Sequence, residues 1–404
     1  MREVKKMNRD DFPFLNQDIV YFDNGATSLK PECVLEAMDD YYRNYPANIH
    51  RGDYAISLKA SNAYEEVRNK VAKFIGAESP EEIVFTSGAT DGMNKIVFGF
   101  MQDYLNEGDE VLLTKAEHAS NVLPWFELER TKKIKIRYIP LNENYELELE
   151  AVKEQITEKT KVISLAEITN VIGDIRPIHE IGELCQEKNI LLVVDGAQSV
   201  PHKKTDVLKD HIDFLVFSAH KMLGPTGVGV LYGKKEYLEA LRPLEYGGGM
   251  NQSFDSDGTV EYKSIPTRLE AGTPPIAEVI GLGKAIDYLE EIGMDHVFAY
   301  EKELKKYLVS QLEQLDSILL YNTTSESGAL AFNIDGVFSQ DTAIYLDHYH
   351  ICVRAGNHCA KVLKEEMNIK NTCRVSLYFY NTKEEIDRFI EVLKKSSELY
   401  KIIL

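Results

Sequence analysis

Short, uniformly apolar runs recur through the first part of this chain, and each stops abruptly at polar residues. The pattern appears as IVF at 83–85, VLL at 111–113, VISLAEI at 162–168, Ile190 to Val194, DFLVFS at 213–218 and GVGVLYG at 227–233. Runs of that length without alternation predict strands buried on both faces, the signature of a parallel sheet. Stretches with apolar residues at helical spacing separate them: VLEAMDDYYRNY after Pro31, SNAYEEVRNKVAKFIG, a helix beginning near Thr90, and HEIGELCQEKN. Strands alternating with helices predict an α/β fold, a largely parallel sheet wrapped by helices.

The pattern changes after about residue 248. GGGMNQSFDSDGTVEYKSIPTRLEAGTPP is rich in Gly, Ser, Thr and Pro, and predicts a long loop or hairpin excursion. IAEVIGLGKAIDYLEEIG resumes as helix, and the remainder reads as a smaller α+β domain closing with the helix EEIDRFIEVLKKSSELY. The expected organisation is an arm over 1–18 packing with the small domain, a large domain over 19–275 whose 248–275 excursion reaches toward a dimer partner, and a small domain over 276–404. No internal repeat is present.

A chain of 404 residues suffices for two domains with a substantial core. Its 46 basic against 65 acidic residues give a formal net charge of −19, which repels phosphate backbones and argues against nucleic acid. No apolar run approaches a membrane span, and MREVKKMNRDDFPFL lacks the apolar core of a signal peptide. The five cysteines (Cys33, Cys185, Cys352, Cys359, Cys373) are scattered with no C-x-x-C, as expected of free thiols in the cytoplasm.

In open α/β sheets, ligands bind beyond the carboxyl ends of the strands. The strand ends here deliver Gly88, Ala89 and Thr90, then His118, then Asn170, then Asp195 and Gln198, and finally Ser218, His220 and Lys221. Each alone is unremarkable chemistry, since a strand-end Asp commonly caps a helix and a single Lys is commonly solvated. Together they suit pyridoxal 5′-phosphate: a lysine for the Schiff base, an aspartate for the pyridinium nitrogen, a ring to stack, and a helix start for the phosphate. Burial after an apolar run lowers a lysine pKa and favours the free amine.

The motifs YFDNGATSLKP, HRGDYAIS, FTSGATDGMN, EHASNVLPW, DGAQSVPH, SAHKMLGPTGVGVLYG, EAGTPP, VRAGNHCA and CRVSLYFYNT span nearly the whole chain. In them the chain resembles the class V aminotransferase family of fold-type I pyridoxal-phosphate enzymes, specifically its group II cysteine desulfurases and selenocysteine lyases. The resemblance implies a large domain with a mainly parallel seven-stranded sheet and a homodimer. It also implies roles: Lys221 as Schiff-base lysine, Asp195 as pyridinium partner, His118 as stacking ring, and Gln198 against the ring hydroxyl. Ala89, Thr90, Ser218 and His220 hold the phosphate, Thr273 reaches the neighbouring subunit's phosphate site, and Arg374 clamps the substrate carboxylate. Asn170, Arg354 and a His50 from the partner chain lie near the substrate, which is L-cysteine or L-selenocysteine. Sulfur passes to an acceptor or scaffold protein, as in iron–sulfur cluster assembly.

Cys359 stands where this family carries its sulfur-accepting nucleophile. It lies in a polar Gly-bearing loop, and positive neighbours such as Arg354 and His358 favour its thiolate. The other four cysteines sit in apolar-patterned stretches and read as buried. A competing reading of HYHICVRAGNHC as a metal site puts His348, His350 and Cys352 on one strand face, but Arg354 shares that face and opposes a cation, so no metal is expected. Three departures stand out. Asn357 replaces an expected histidine, Glu167 in EITN bears on the electrostatics near Asn170, and AKVLKEEMNIK after Cys359 differs from the familiar Pro-Leu continuation. The alternatives are a selenocysteine lyase, or another class V lyase or aminotransferase in which Cys359 is not essential. A non-catalytic ligand sensor is disfavoured because the fold starts by residue 20 and the chain is acidic.

Overall fold

The computed structural model describes residues 8–50 and 52–403. The first seven residues of the expected arm, and Arg51 of HRGDYAIS, lie outside the described residues. The large sheet has seven strands: β1 (Ile83–Thr86), β2 (Glu110–Thr114), β3 (Lys135–Ile139), β4 (Thr160–Ala166), β5 (Leu191–Asp195), β6 (Phe214–Ser218) and β7 (Gly229–Gly233). They lie in the order β1-β7-β6-β5-β4-β2-β3. All pairings among β2 to β6 are parallel, while β7 runs antiparallel to both its neighbours. The reason is length: too few residues link β6 to β7 for a crossover helix, so the chain can only turn back. β1, β2, β5, β6 and β7 are buried along their whole length. β3 is an edge strand whose polar and apolar residues mix, which is why no apolar run announces it.

A hairpin of β8 (Asn251–Phe254) and β9 (Val260–Tyr262) forms the outer part of the expected excursion and is mostly exposed. Its return leg is anchored: Glu270 pairs with the buried Arg68 at 2.7 Å and accepts from the Phe85 amide at 2.7 Å. A second sheet of four antiparallel strands follows, built from β10 (Ile318–Tyr321), β11 (Ala329–Ile334), β12 (Arg354–Gly356) and β13 (Thr372–Ser376) in the order β10-β11-β13-β12.

Helices α1 (Glu32–Asn44) and α2 (Ala55–Ile75) pack on α3 (Ile276–Ile292), and α4 (Met294–Leu312) continues toward the second sheet. α5 (Lys361–Glu366) and α6 (Lys383–Leu393) complete that layer, α6 opening on a capping box of Thr382 and Glu385. The closing helix expected from EEIDRFIEVLKKSSELY breaks after Leu393 and restarts at Leu399. Of the arm, Arg9 pairs with Glu385 and Asp18 with Arg388, while Phe12 packs against Tyr288, Phe379 and Tyr380.

Two apolar clusters cover the faces of the large sheet, and a third fills the four-stranded layer. A small fourth cluster, with Ala116, Val171 and Ile172 against Ala331, Ala360 and Leu363, joins the two layers beside the strand ends. This seam sets how the loop after β12 meets the large sheet.

Candidate active site

The carboxyl ends of the parallel strands open into a cavity of ≈ 260 Å³. From the large sheet it receives Ala89 and Thr90 after β1, His118 after β2, Asn170 after β4, Asp195 and Gln198 after β5, and Ser218, His220 and Lys221 after β6. The four-stranded layer supplies Arg354 on β12, Cys359 in the loop that follows, and Arg374 on β13. Twelve of the fourteen expected site residues therefore share one cavity. His50 and Thr273 do not line it. His50 lines a second hollow with Glu65 and Arg68, and its Nε2 lies 3.0 Å from Glu65 Oε1. Thr273 lies next to that hollow and accepts from Asn48 Nδ2 at 3.4 Å.

Charge is distributed unevenly in the cavity. Burial pulls the Lys221 amine down to about 8, against the opposing pull of Asp195; Arg374 and Arg354 lower it further. Burial pushes the Asp195 carboxyl up, partly offset by the Ala197 amide, which donates to Oδ1 at 3.0 Å, and by Lys221. His118 is lowered to about 4, by burial first and then by Lys221, Arg354 and Arg374. The Ser120 amide donates to His118 Nδ1 at 3.1 Å, so the neutral ring carries its proton on Nε2. The Thr90 and Ser120 hydroxyls are 2.7 Å apart, and Ser218 Oγ accepts from the Ala89 amide at 2.8 Å. His220 is also lowered to about 4 by burial.

Arg374 is 1 % exposed. It donates to Asp23 Oδ1 at 2.9 Å and to the Asn170 carbonyl at 2.8 Å, and its Nε is buried without a partner. The turn FDNGATS brings Gly25 against the guanidinium: a Cβ there would sit 2.9 Å from Arg374 Cζ. Gln198 Nε2 donates to the Gly25 carbonyl at 2.7 Å.

Several contributors escaped the reading of strand ends. Glu117, beside His118, is fully buried and accepts from Thr114 Oγ1 (2.7 Å), Asn121 Nδ2 (2.9 Å), the Ala166 amide (2.8 Å) and Arg176. It thereby ties the His118 loop to the end of β4. Gly25, Ala26 and Ser120 also line the cavity. Their signal lay in the quoted motifs YFDNGATSLKP and EHASNVLPW, whose polar residues follow short apolar runs.

Three expectations need correction. Glu167 does not act near Asn170: Ala166, Ile168 and Asn170 line the cavity while Glu167 lines a separate groove and pairs with Lys203. Alternation along an extended segment sends it to the opposite side. His358 is not a positive neighbour of Cys359, because burial, followed by Arg374 and Lys364, lowers it to about 2. The strand that put His348, His350 and Cys352 on one face does not form, since His348 ends a helix and His350 has φ 58°. Among the described residues no cluster suits a metal ion.

The cysteines divide only partly as expected, since two of the four read as buried are half-buried. Cys359 is exposed, Cys185 and Cys373 are buried, and Cys33 and Cys352 are half-buried. The Ala119 amide donates to the Cys359 carbonyl at 2.7 Å, fixing the loop against the one that carries His118. No helix among the described residues is long and apolar enough to cross a membrane.

Comparison with known proteins gives concordant matches. The family model described as Aminotransferase class-V matches residues 20–389. The chain is 42 % identical over 405 residues to a protein of Halalkalibacterium halodurans named "Probable cysteine desulfurase", covering 98 % of each. The apo structure of a cysteine desulfurase from Thermococcus onnurineus superposes with TM-score 0.93 at 36 % identity, over 98 % of both chains. A cysteine desulfurase of Escherichia coli superposes with TM-score 0.92 at 34 % identity, over 98 % of this chain and 100 % of that one.

Proposed function

The chain belongs to the class-V aminotransferase family, and from that premise we propose that it is a pyridoxal 5′-phosphate-dependent cysteine desulfurase that converts L-cysteine to L-alanine and keeps the sulfur on Cys359. One observation carries the reading: the exposed thiol of Cys359 lines the same cavity as Lys221, Asp195 and Arg374.

The residues fit the cofactor. A buried carboxyl pushed up by desolvation is stabilised as an anion by a cationic ring nitrogen, which suits Asp195 to a pyridinium. Lys221, held near neutrality, supplies the amine. Ala89 and Thr90 open a helical segment whose first amides and dipole favour phosphate, and Ser218 and His220 flank it. The buried Asn170 Oδ1 lacks a partner, as expected of a group that meets a ligand. When bound, the cofactor is the electron sink that allows the substrate's Cα–H and Cβ–S bonds to break.

Arg374 binds the substrate carboxylate through the guanidinium edge that Asp23 orients. Lys221 removes the proton from Cα and returns one. His118, neutral with its proton on Nε2, stacks on the ring and shuttles protons at the leaving sulfur. Cys359 Sγ attacks the substrate sulfur: the Cβ–S bond breaks, an S–S bond forms, Cβ ends as a methyl group and the enzyme sulfur as a persulfide. Electrons balance within the step, the carbon being reduced as the two sulfurs are oxidised. The persulfide then passes to an acceptor protein.

The working unit in this reading is a cytoplasmic homodimer in which His50 and Thr273, remote from their own cavity, complete the site of the partner. Exposed Tyr54 just before α2, Ile56 and Leu58 on it, and Phe254 on the hairpin, supply apolar surface for that contact.

The test is alanine release from L-cysteine by wild type and Cys359→Ala with a reductant present, L-selenocysteine run alongside. Loss of cysteine turnover with selenocysteine activity retained supports the persulfide route. Equal cysteine turnover in both proteins removes Cys359 from the mechanism. Absence of alanine from either substrate points to another reaction of the class V family.

A further inference from the structure

The segment after Cys359, AKVLKEEMNIK, holds the least expected side chain of this region. Lys364 on α5 is 2 % exposed, and no carboxylate among the described residues pairs with it. Burying an ammonium without a counter-ion is costly, and an apolar side chain would fill the same space without that cost. Its ammonium makes one hydrogen bond among the described residues: Nζ donates to Thr372 Oγ1 at 2.7 Å.

Thr372 also meets the residue before Cys359. His358 Nε2 lies 2.9 Å from the Thr372 carbonyl and 3.0 Å from its hydroxyl. A carbonyl only accepts, so Nε2 carries the proton and the buried Nδ1 is left bare, without a partner. The residue before Cys359 and the helix after it are thus both tied to β13, the strand that bears Arg374.

The backbone between these ties is strained. His358 and Cys359 are both left-handed, with φ 53° and 56°. Non-glycine residues in sparsely populated regions cost of order 1–3 kcal/mol each and persist only where their surroundings over-determine them. On one side Asn170 Nδ2 holds the His358 carbonyl at 2.6 Å and the Ala119 amide holds that of Cys359 at 2.7 Å. On the other side, the Thr372 contacts are the constraint.

We propose that Lys364 and Thr372 are positioning residues for Cys359, holding the left-handed His358–Cys359 pair so that the thiol stays in the cavity shared with Lys221, Arg354 and Arg374. This rests on Cys359 being the sulfur acceptor and goes beyond it, since it assigns a task to residues that touch no reacting atom. A loosened loop lets the thiol leave the cavity in which the substrate sulfur must meet it.

The experiment is alkylation of Cys359 by iodoacetamide in the holoenzyme, with the modified residue assigned by mass spectrometry. Lys364→Met and Thr372→Val are compared with Thr372→Ser, which keeps the hydroxyl, and thermal melting checks that each is folded. Expected is that L-alanine at about ten times its Kd, filling the cavity, slows alkylation of the wild-type thiol about tenfold but protects Cys359 little in Lys364→Met and Thr372→Val, whose thiol has left the cavity. Thr372→Ser stays near wild type. Wild-type protection by L-alanine in both altered proteins overturns the proposal. If Lys364→Met does not fold, the contrast between Val and Ser at Thr372 decides. Alanine release by Cys359→Ala would sink the acceptor assignment while leaving the alkylation result readable.

Discussion

The side-chain amide of Asn170, at the end of a large-sheet strand, donates to the backbone carbonyl of His358 at 2.6 Å. A residue expected to serve the substrate thus also holds the peptide unit entering Cys359 from the other sheet. Asn170→Ala should lower kcat for alanine release by about 10–100-fold, the usual consequence of a misplaced reacting group. Steady-state kinetics check it, and an unchanged kcat would mean the loop is held without this bond.

Gly25 lies so close to Arg374 that an added Cβ would stand 2.9 Å from Cζ. The guanidinium cannot yield easily, being held by Asp23 and the Asn170 carbonyl. Gly25→Ala should therefore raise KM for cysteine about tenfold or more, as partial loss of a charged hydrogen bond does. Cofactor binding, monitored by visible absorbance, should change far less. A normal KM would show that Arg374 does not take the carboxylate.

The amine of Lys221 is lowered to about 8 by burial, with Asp195 pulling it up. A free amine is needed for imine formation, so uptake of pyridoxal phosphate by the apo-protein should accelerate as pH rises toward about 8 and level off above it. Asp195→Asn removes the charge that raises the lysine, so its midpoint should move to lower pH. Stopped-flow absorbance measures both, and a midpoint moving upward contradicts the electrostatics described.

Lys305 on α4 is 1 % exposed, donates to the Ala329 carbonyl, and is lowered to about 7 by burial. The unfolded chain binds this proton up to about 10.4, so the lysine destabilises the fold fully below about 7 and progressively less as pH rises to about 10. Lys305→Met should raise Tm most at neutral pH and below, with the gain shrinking in alkaline buffer. Calorimetry at several pH values checks this; a gain that grows with pH would reverse the sign.

Much of this was legible in the residues. Uniform apolar runs located β1, β2 and β4 to β7 because strands buried on both faces leave no room for polar alternation. β3 escaped because it is largely uncovered and mixes polar with apolar residues, unlike β1 at the opposite edge, which is buried throughout. The twelve strand-end and loop residues that share the cavity were readable one by one, since each follows a run or lies in a quoted motif. Glu117 and Arg176 were not, because a buried ion pair has no sequence spacing; it exists only where β2, β4 and the turn before Pro177 meet.

The sequence by itself determined the alternation of strand and helix, the side chains offered at each strand end, and the polar loop around Cys359. Those are local properties, set by period and residue type. Only the tertiary structure decided which way each side chain faces: Glu167 away from Asn170, His358 inward as a neutral ring, and Lys364 into the interior behind the reactive loop. Orientation and protonation depend on what burial and neighbouring charges do to a group, and only folding decides which segments supply those neighbours.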